Sequence, residues 1–372
     1  MTQTTTEVQA HLTDVSGRPA RSQEPWPALI VRRAQIEAEI ERLADVPVPP
    51  NGRRTSSVVH PCAPAGIPSL SPGIEVTIEV LRPGEETTPV RRNSNRVEMC
   101  IRGSGSTTVA GRTIGAEQFD VWNIPAMQGH RHRNTGQDLW VRLCYSNAPL
   151  LERLEVHYVE EGPEVSLDAP AAPPAATATA VRAKDHADDI AIDSYGARLL
   201  GYEHLIDIDV VESKAHHWPW LVVNEHLHRV RDLGAGYTGR RLYVLYNPAT
   251  ERRIGTTHSF FATIAAYPPD TVDVAHRHTS AAINYYFAGN GKSVVAGQRM
   301  EWEAGDLMFA APGWVPHVHG SRDQGFLALT IQDHPLQIAM DSLVWQETLQ
   351  SPIRSLGSEA GFQTNLAELA TT

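Results

Sequence analysis

The sequence reads as a mainly β chain made by internal duplication, with two antiparallel units in tandem joined by a helical connector. Three observations carry this reading. Segments such as Ile74-Glu75-Val76-Thr77-Ile78-Glu79-Val80 alternate apolar and polar residues, which is the period of a half-buried strand. Sliding the chain on itself so that Gly105 falls on Gly291 also lays Gly111 on Gly297 and Asp120 on Asp306. With one residue slipped, Pro125 falls on Pro312, His130 on His317 and His132 on His319. Finally, the second copy carries two pairs of histidines at strand spacing, His276 with His278 and His317 with His319.

The elements follow in order. Residues 1–70 are an N-terminal extension whose polar, threonine-rich start has no apolar signal core and is expected to be disordered. From Pro27 to Asp45, Ile36, Ile40 and Leu43 recur at helical spacing between charged residues, predicting a surface helix that packs on a barrel or a partner. Residues 71–160 form the first β unit. Residues 161–241 combine an Ala/Pro-rich linker from Leu167 to Thr179 with a helical connector from about Asp185 to Leu233. Within the connector, the apolar spacing after Pro219 is helical. Residues two apart on a helix point about 200° apart, so His226 and His228 cannot share an ion there and are assigned to the surface or to subunit contacts. A strand at this place would reverse that conclusion. Residues 242–350 are the second β unit, and residues 351–372 a polar tail.

Composition narrows the function. Asp and Glu outnumber Lys and Arg by 43 to 32, a net charge of -11, which argues against a nucleic-acid partner. No apolar run is long enough to span a bilayer, so no membrane partner is expected. Cys62, Cys100 and Cys144 are odd in number and widely spaced, as expected of reduced thiols in a cytoplasmic protein.

His276 and His278 can face one metal from a strand while a later antiparallel strand brings in His317. A buried histidine with no ligand role is the alternative for any one of them. What favours the metal is the order of features: the two histidines, the turn Gly289-Asn290-Gly291, Gly305-Asp306 and Pro312 before His317. These residues resemble the two motifs of the cupin superfamily, small antiparallel jelly-roll barrels, so the duplication implies a bicupin. The first cupin motif normally adds a glutamate four residues after its second histidine, and here that position is Ala282. With HRHTSAAINYYFAGNG, a PGWVPHVHG segment and the lead-in YNPATERR, the stretch from Tyr243 to Gln346 resembles the bicupin ring-cleaving dioxygenases of gentisate, salicylate and 1-hydroxy-2-naphthoate.

That resemblance implies Fe(II) held by His276, His278 and His317, a hydroxylated aromatic substrate with O2, extradiol-type ring cleavage, and a homo-oligomer, often a homotetramer. It also places His319 beside the substrate as the group that handles its proton. A fourth metal ligand or a spare core residue are the other readings of that position, and an unperturbed pKa near neutrality suits the catalytic one. Three neutral imidazoles leave the charge of a divalent ion uncompensated and about three of six positions open, which suits an anionic chelating phenolate together with dioxygen. Imidazoles do not by themselves select iron, and zinc is the rival. A non-catalytic ligand-binding bicupin, or a zinc or manganese cupin isomerase or decarboxylase, are the alternative functions.

Two departures from the family pattern stand out. In the first unit the positions matching His276, His278 and Ala282 are Val90, Arg92 and Arg96, whose like charges would repel a cation. This barrel is therefore expected to be metal-free and structural, with an anion site lined by Arg91, Arg92 and Arg96 as the alternative. The gentisate and salicylate enzymes carry their single iron in the first cupin. The second departure is at the substrate. Their carboxylate-holding arginine, six residues after the second histidine, is replaced by Asn284, and a downstream aspartate by Thr330. Loss of a charged two-pronged contact costs about 2–3 kcal/mol, so gentisate and salicylate are expected to be poor substrates unless another cation serves. Arg241, Arg252 and Arg253 lie close by in sequence.

Overall fold

The computed structural model describes residues 10–169, 190–192, 194–195, 197–200, 202, 213–234 and 236–369. The first nine residues, the linker beyond Ala169 and the first part of the connector, residues 185–189, lie outside them.

Two antiparallel barrels form as the alternation requires. In the first, a six-stranded sheet runs in the order His217–Trp218, Val121–Ile124, Arg96–Arg102, Trp140–Ser146, Glu75–Leu81, Arg54–Ser57. It faces a five-stranded sheet ordered Val159–Glu161, Val90–Arg92, His130–Arg133, Gly105–Val109, Arg112–Ala116. In the second, the long strands Ala281–Val295 and His317–Gln332 pair along most of their length and form the spine of a seven-stranded sheet. Arg277–His278 pairs with Val344–Gln346, which in turn pairs with Arg354–Ser355, in a three-stranded sheet beside it. Gly289 takes a positive φ of 77° where the ladder slips, and a Cβ there would collide with the Gly325 carbonyl oxygen.

The duplicated pattern is visible in the register. Val90 pairs with His130 in the first barrel as His276 pairs with His317 in the second. Asp120 and Asp306, which the alignment superposes, also do the same job. Each carboxylate accepts the backbone N–H three residues before it, Glu117 or Glu303, and closes its own turn. Each then caps a helix: Asp306 accepts from Arg33 N at 2.8 Å, and Asp120 from Trp220 N at 2.6 Å.

Those helices reach across to the other barrel. The strand Leu29–Val31 pairs with Leu307–Pro312 of the second barrel, and the helix that follows it, Arg33–Asp45, packs on Glu75–Leu81 and Arg54–Ser57 of the first. In the mirror arrangement, His217–Trp218 pairs with Val121–Ile124 of the first barrel, and the helix Trp220–Arg231 packs on Leu242–Val244 and Phe261–Tyr267 of the second. The two strand-helix arms are thus exchanged, and a single apolar core runs through both barrels.

The helix Arg33–Asp45 packs on a barrel through its apolar face, as its spacing predicts: Ile36, Ile40 and Leu43 are 1–3% exposed within that shared core, a burial worth about 1.5–3 kcal/mol for each side chain, while its other face is exposed. Other sequence expectations change. The helix's predicted first turn, Leu29 to Val31, is a strand. The connector is helical over Trp220–Arg231, while Ile190–Ala191 and Arg198–Leu199 form a small ribbon instead of continuing a helix. His226 and His228 are exposed on that helix, as the spacing predicts.

Candidate metal centre

The site begins with a backbone pairing. His276 N donates to His317 O at 3.1 Å and His317 N to His276 O at 2.9 Å, an antiparallel pair that directs both side chains to the same face. His278, two residues on, points the same way from its own short strand. One ring nitrogen from each of the three lies within 4.8 Å of the others, and all three residues are buried. Among the described residues no other group of His, Cys, Asp or Glu converges in this way.

The ring orientations are set by the chain around them. Nδ1 of His276 meets Val274 O at 2.9 Å, that of His278 meets Ser280 O at 2.8 Å, and that of His317 meets Val315 O at 3.0 Å. A carbonyl only accepts, so each Nδ1 carries the proton and each Nε2 keeps its lone pair. Burial pushes His276 and His278 well below the usual imidazole range, aided next by Arg240 at His276 and by His317 and His334 at His278. His317 is pushed down to about 4, chiefly by burial. The three rings are therefore neutral at physiological pH, the form in which imidazole ligates. Trp345 stacks on two of them, with ring centroids 5.6 Å from His276 and 4.6 Å from His278.

The histidines open onto a cavity of about 120 Å³ with Phe261, Tyr286, Phe326 and Trp345 in its walls. Asn284 and Thr330 are direct partners across the two long strands, and both line it. Asn284 donates to Tyr286 Oη at 3.1 Å, while its own Oδ1 is buried without a partner. Ala282, where the cupin pattern expects a carboxylate, also lines the cavity and lies opposite Gln332. The donor set is thus three imidazoles and no acid, which accepts iron, zinc, copper or nickel without choosing among them.

His319 faces the same cavity. Its Nδ1 is 2.7 Å from Ser293 Oγ, which also accepts from Trp302 Nε1 at 2.9 Å, and Nε2 makes no hydrogen bond among the described residues. Burial, followed by His317, lowers its pKa to about 3. At physiological pH the ring is therefore neutral, with a lone pair on Nε2 if Nδ1 carries the proton.

Sequence reasoning overlooked Arg240, which lines the cavity 3.0 Å from Asp273 and 3.4 Å from Glu347. Its signal was parity, because Arg240 precedes Leu242 by two residues and both face inward. The neighbouring arginines serve elsewhere. Arg241 donates to the carbonyls of Val230, Arg231 and Gly234, and Arg252 to that of Gly357.

In the first barrel, ion pairs line the corresponding place. Arg96 contacts Glu79 at 2.6 Å and Glu98 at 3.0 Å, and Arg142 bridges the same two acids at 2.8 and 2.9 Å. Burial alone would raise the Glu79 carboxyl, but Arg96 and Arg142 hold it well below the carboxylate range. Arg91, expected beside Arg92 and Arg96, points outward to Glu160 at 2.5 Å.

Comparison with known proteins gives a consistent set of relatives. The chain is 25% identical over 330 residues to a 5-aminosalicylate 1,2-dioxygenase of Comamonas sp., covering 87% of this chain and 81% of the relative. It is 26% identical over 247 residues to a 1-hydroxy-2-naphthoate 1,2-dioxygenase of Nocardioides sp., covering 65% of this chain and 57% of that one. Among solved structures, the salicylate 1,2-dioxygenase of Pseudaminobacter salicylatoxidans superposes with a TM-score of 0.69 at 18% identity, covering 90% of this chain and 91% of that one. This likeness shows that the two share the bicupin fold. No family model matches the chain.

Proposed function

We propose that this protein is an Fe(II)-dependent dioxygenase that cleaves the ring of a hydroxylated aromatic compound with O2 in the extradiol manner. The observation that carries the proposal is the set of three buried imidazoles, each with Nδ1 tied to a carbonyl and Nε2 free, opening onto an aromatic-walled cavity. The dioxygenase names of its relatives support it. In this reading His276, His278 and His317 hold the metal, and the first barrel holds none. When bound, ferrous iron supplies the path by which electron density passes between a closed-shell ring and dioxygen.

The chain supplies the rest. With Ala282 in place of a carboxylate, the histidines add no negative charge, so the site favours an anionic, chelating oxygen pair on the substrate. Phe261, Tyr286, Phe326 and Trp345 enclose the ring and exclude water. Asn284 and Thr330 contact it from the strand pair. His319, with Nδ1 braced on Ser293, takes the phenolic proton at Nε2. The reading extends to a cytoplasmic homo-oligomer. The free thiols of Cys62, Cys100 and Cys144 support the reducing compartment.

The test is anaerobic purification with metal analysis, then oxygen-electrode screening of salicylates, hydroquinones, catechols and hydroxynaphthoates. About one iron per chain and oxygen uptake matched by a ring-opened acid is the expected result. A zinc or manganese protein that transforms its substrate without oxygen, or a metal-loaded protein that binds aromatics unchanged, would refute it.

A further inference from the structure

The first barrel has a cavity of its own, about 290 Å³, in the place that corresponds to the metal cavity of the second. Arg92 and Arg96 line it from the positions that correspond to His278 and Ala282. The chemistry is inverted: where one barrel gathers lone pairs for a cation, the other gathers guanidinium groups. Most of this charge is already matched, because Arg96 and Arg142 are paired with Glu79 and Glu98, and Arg53 with Glu161 at 2.6 Å. Arg92 is the exception. It forms no ion pair within the described chain, and its Nε is buried without an acceptor. Arg53 Nη1, in the same wall, is also buried and unpartnered.

A guanidinium that lines a polar cavity with no ion-pair partner among the described residues calls for an acceptor from outside them. The one acid not committed to an arginine, Glu75, accepts from Ser57 Oγ at 3.1 Å. Burial raises its pKa although Arg96 and Arg92 are near. Burial, together with repulsion from Arg96 and Arg53, lowers Arg92 to about 10, as expected of a cation short of a counter-charge. Apart from the charged groups, the wall is Asn51, Thr55, Thr77, Cys144 and Ser146, with no aromatic or aliphatic side chain. The second barrel's cavity, by contrast, is walled by five aromatic side chains, Phe261, Tyr267, Tyr286, Phe326 and Trp345.

We propose that the first barrel contains a second binding site, for a small hydrophilic aliphatic carboxylate, held by Arg92 and Arg53. The site is independent of the metal centre and of the reaction proposed for it. Ring-opened acids and ordinary metabolic acids share this chemistry, and succinate serves as the probe.

Calorimetric titration of the full chain with succinate, its uncharged diamide and benzoate tests the proposal. Succinate is expected to bind once per chain, the diamide not to bind, and benzoate to bind more weakly than succinate. Arg92→Gln, which removes the charge without breaking an ion pair, is expected to weaken succinate by about 10- to 100-fold. Thr55→Phe, at the exposed lip of the cavity, should block it by filling the space, and serves in place of Arg92→Gln if that variant does not fold. His317→Ala, which alters only the other barrel, should leave it unchanged. The proposal is overturned if succinate shows no binding at millimolar concentration, or if its affinity survives both first-barrel substitutions. Loss of binding in His317→Ala, or a preference for benzoate, overturns it equally. A titration with a ring-opened acid set beside succinate then separates a product site from a general acid site by which binds tighter.

Discussion

Ser293 is a small residue, 1% exposed, at the junction of three side chains, and its replacement by alanine reports on how the cavity imidazole is held. Its hydroxyl accepts from Trp302 Nε1 at 2.9 Å and lies 2.7 Å from His319 Nδ1, so removing one oxygen leaves two buried polar groups without partners. Each stranded group costs about 1–3 kcal/mol, which gives about 2–6 kcal/mol of lost stability for a change that removes no apolar contact. The imidazole, no longer braced, should turn in its pocket. If His319 takes the substrate proton at Nε2, turnover should then fall by about 10- to 100-fold, because a base held out of line loses most of a contribution worth about 10² to 10⁴. Metal content should not change, since His276, His278 and His317 are oriented by backbone carbonyls and not by Ser293. The measurements are urea unfolding, metal analysis and oxygen uptake on one preparation. His319→Gln is the companion: it should slow turnover by about 10² to 10⁴ while retaining the metal. If Ser293→Ala is as stable and as active as the wild type, the bracing role is wrong. If either variant loses its metal, His319 is a ligand.

Three further predictions follow from the same geometry. Alanine at His276, His278 or His317 should remove most of the metal and the activity, whereas His130→Ala should leave metal content nearly unchanged; two metals per chain in the wild type would contradict a metal-free first barrel. Asp333, which accepts from Ala281 N at 2.8 Å, has its pKa raised by burial from 3.8 to about 6. Its folded form holds a proton that the unfolded chain has lost, so this residue's contribution to stability falls as pH rises from about 4 to 6. Asp333→Asn should therefore stabilise the protein by about 1–3 kcal/mol at pH 7.5, allowing for partial exposure, and by almost nothing near pH 4, as read by urea unfolding at the two pH values. Finally, with the neutral Asn284 at the substrate and Arg240 already paired with Asp273 and Glu347, the wild type should turn over gentisate and salicylate poorly, and Asn284→Arg should raise kcat/KM for them. Efficient wild-type turnover with no gain from the added arginine would show that the carboxylate is held elsewhere.

Local periodicity specified much of this molecule before any coordinates. Alternation in 74–80 predicts the strand Glu75–Leu81, and the spacing of two placed His276 and His278 on one side of an extended segment, because both depend on side-chain direction along a single strand. The repeat located the register of the halves, so Val90 opposite His130 and His276 opposite His317 follow from matched turns and matched strand lengths. Tertiary structure decided what depends on contacts distant in sequence. Arg240 enters the cavity because Asp273 and Glu347, far along the chain, fold around its guanidinium. Leu29–Val31 has no strand period of its own to announce it and becomes a strand only because Leu307–Pro312 offers an unpaired edge. Ile36, Ile40 and Leu43 showed that their helix has an apolar face, but helical spacing does not say what covers that face. Capping by Asp306 and packing against Glu75–Leu81 settle it, and the helix links one barrel's turn to the other barrel's core.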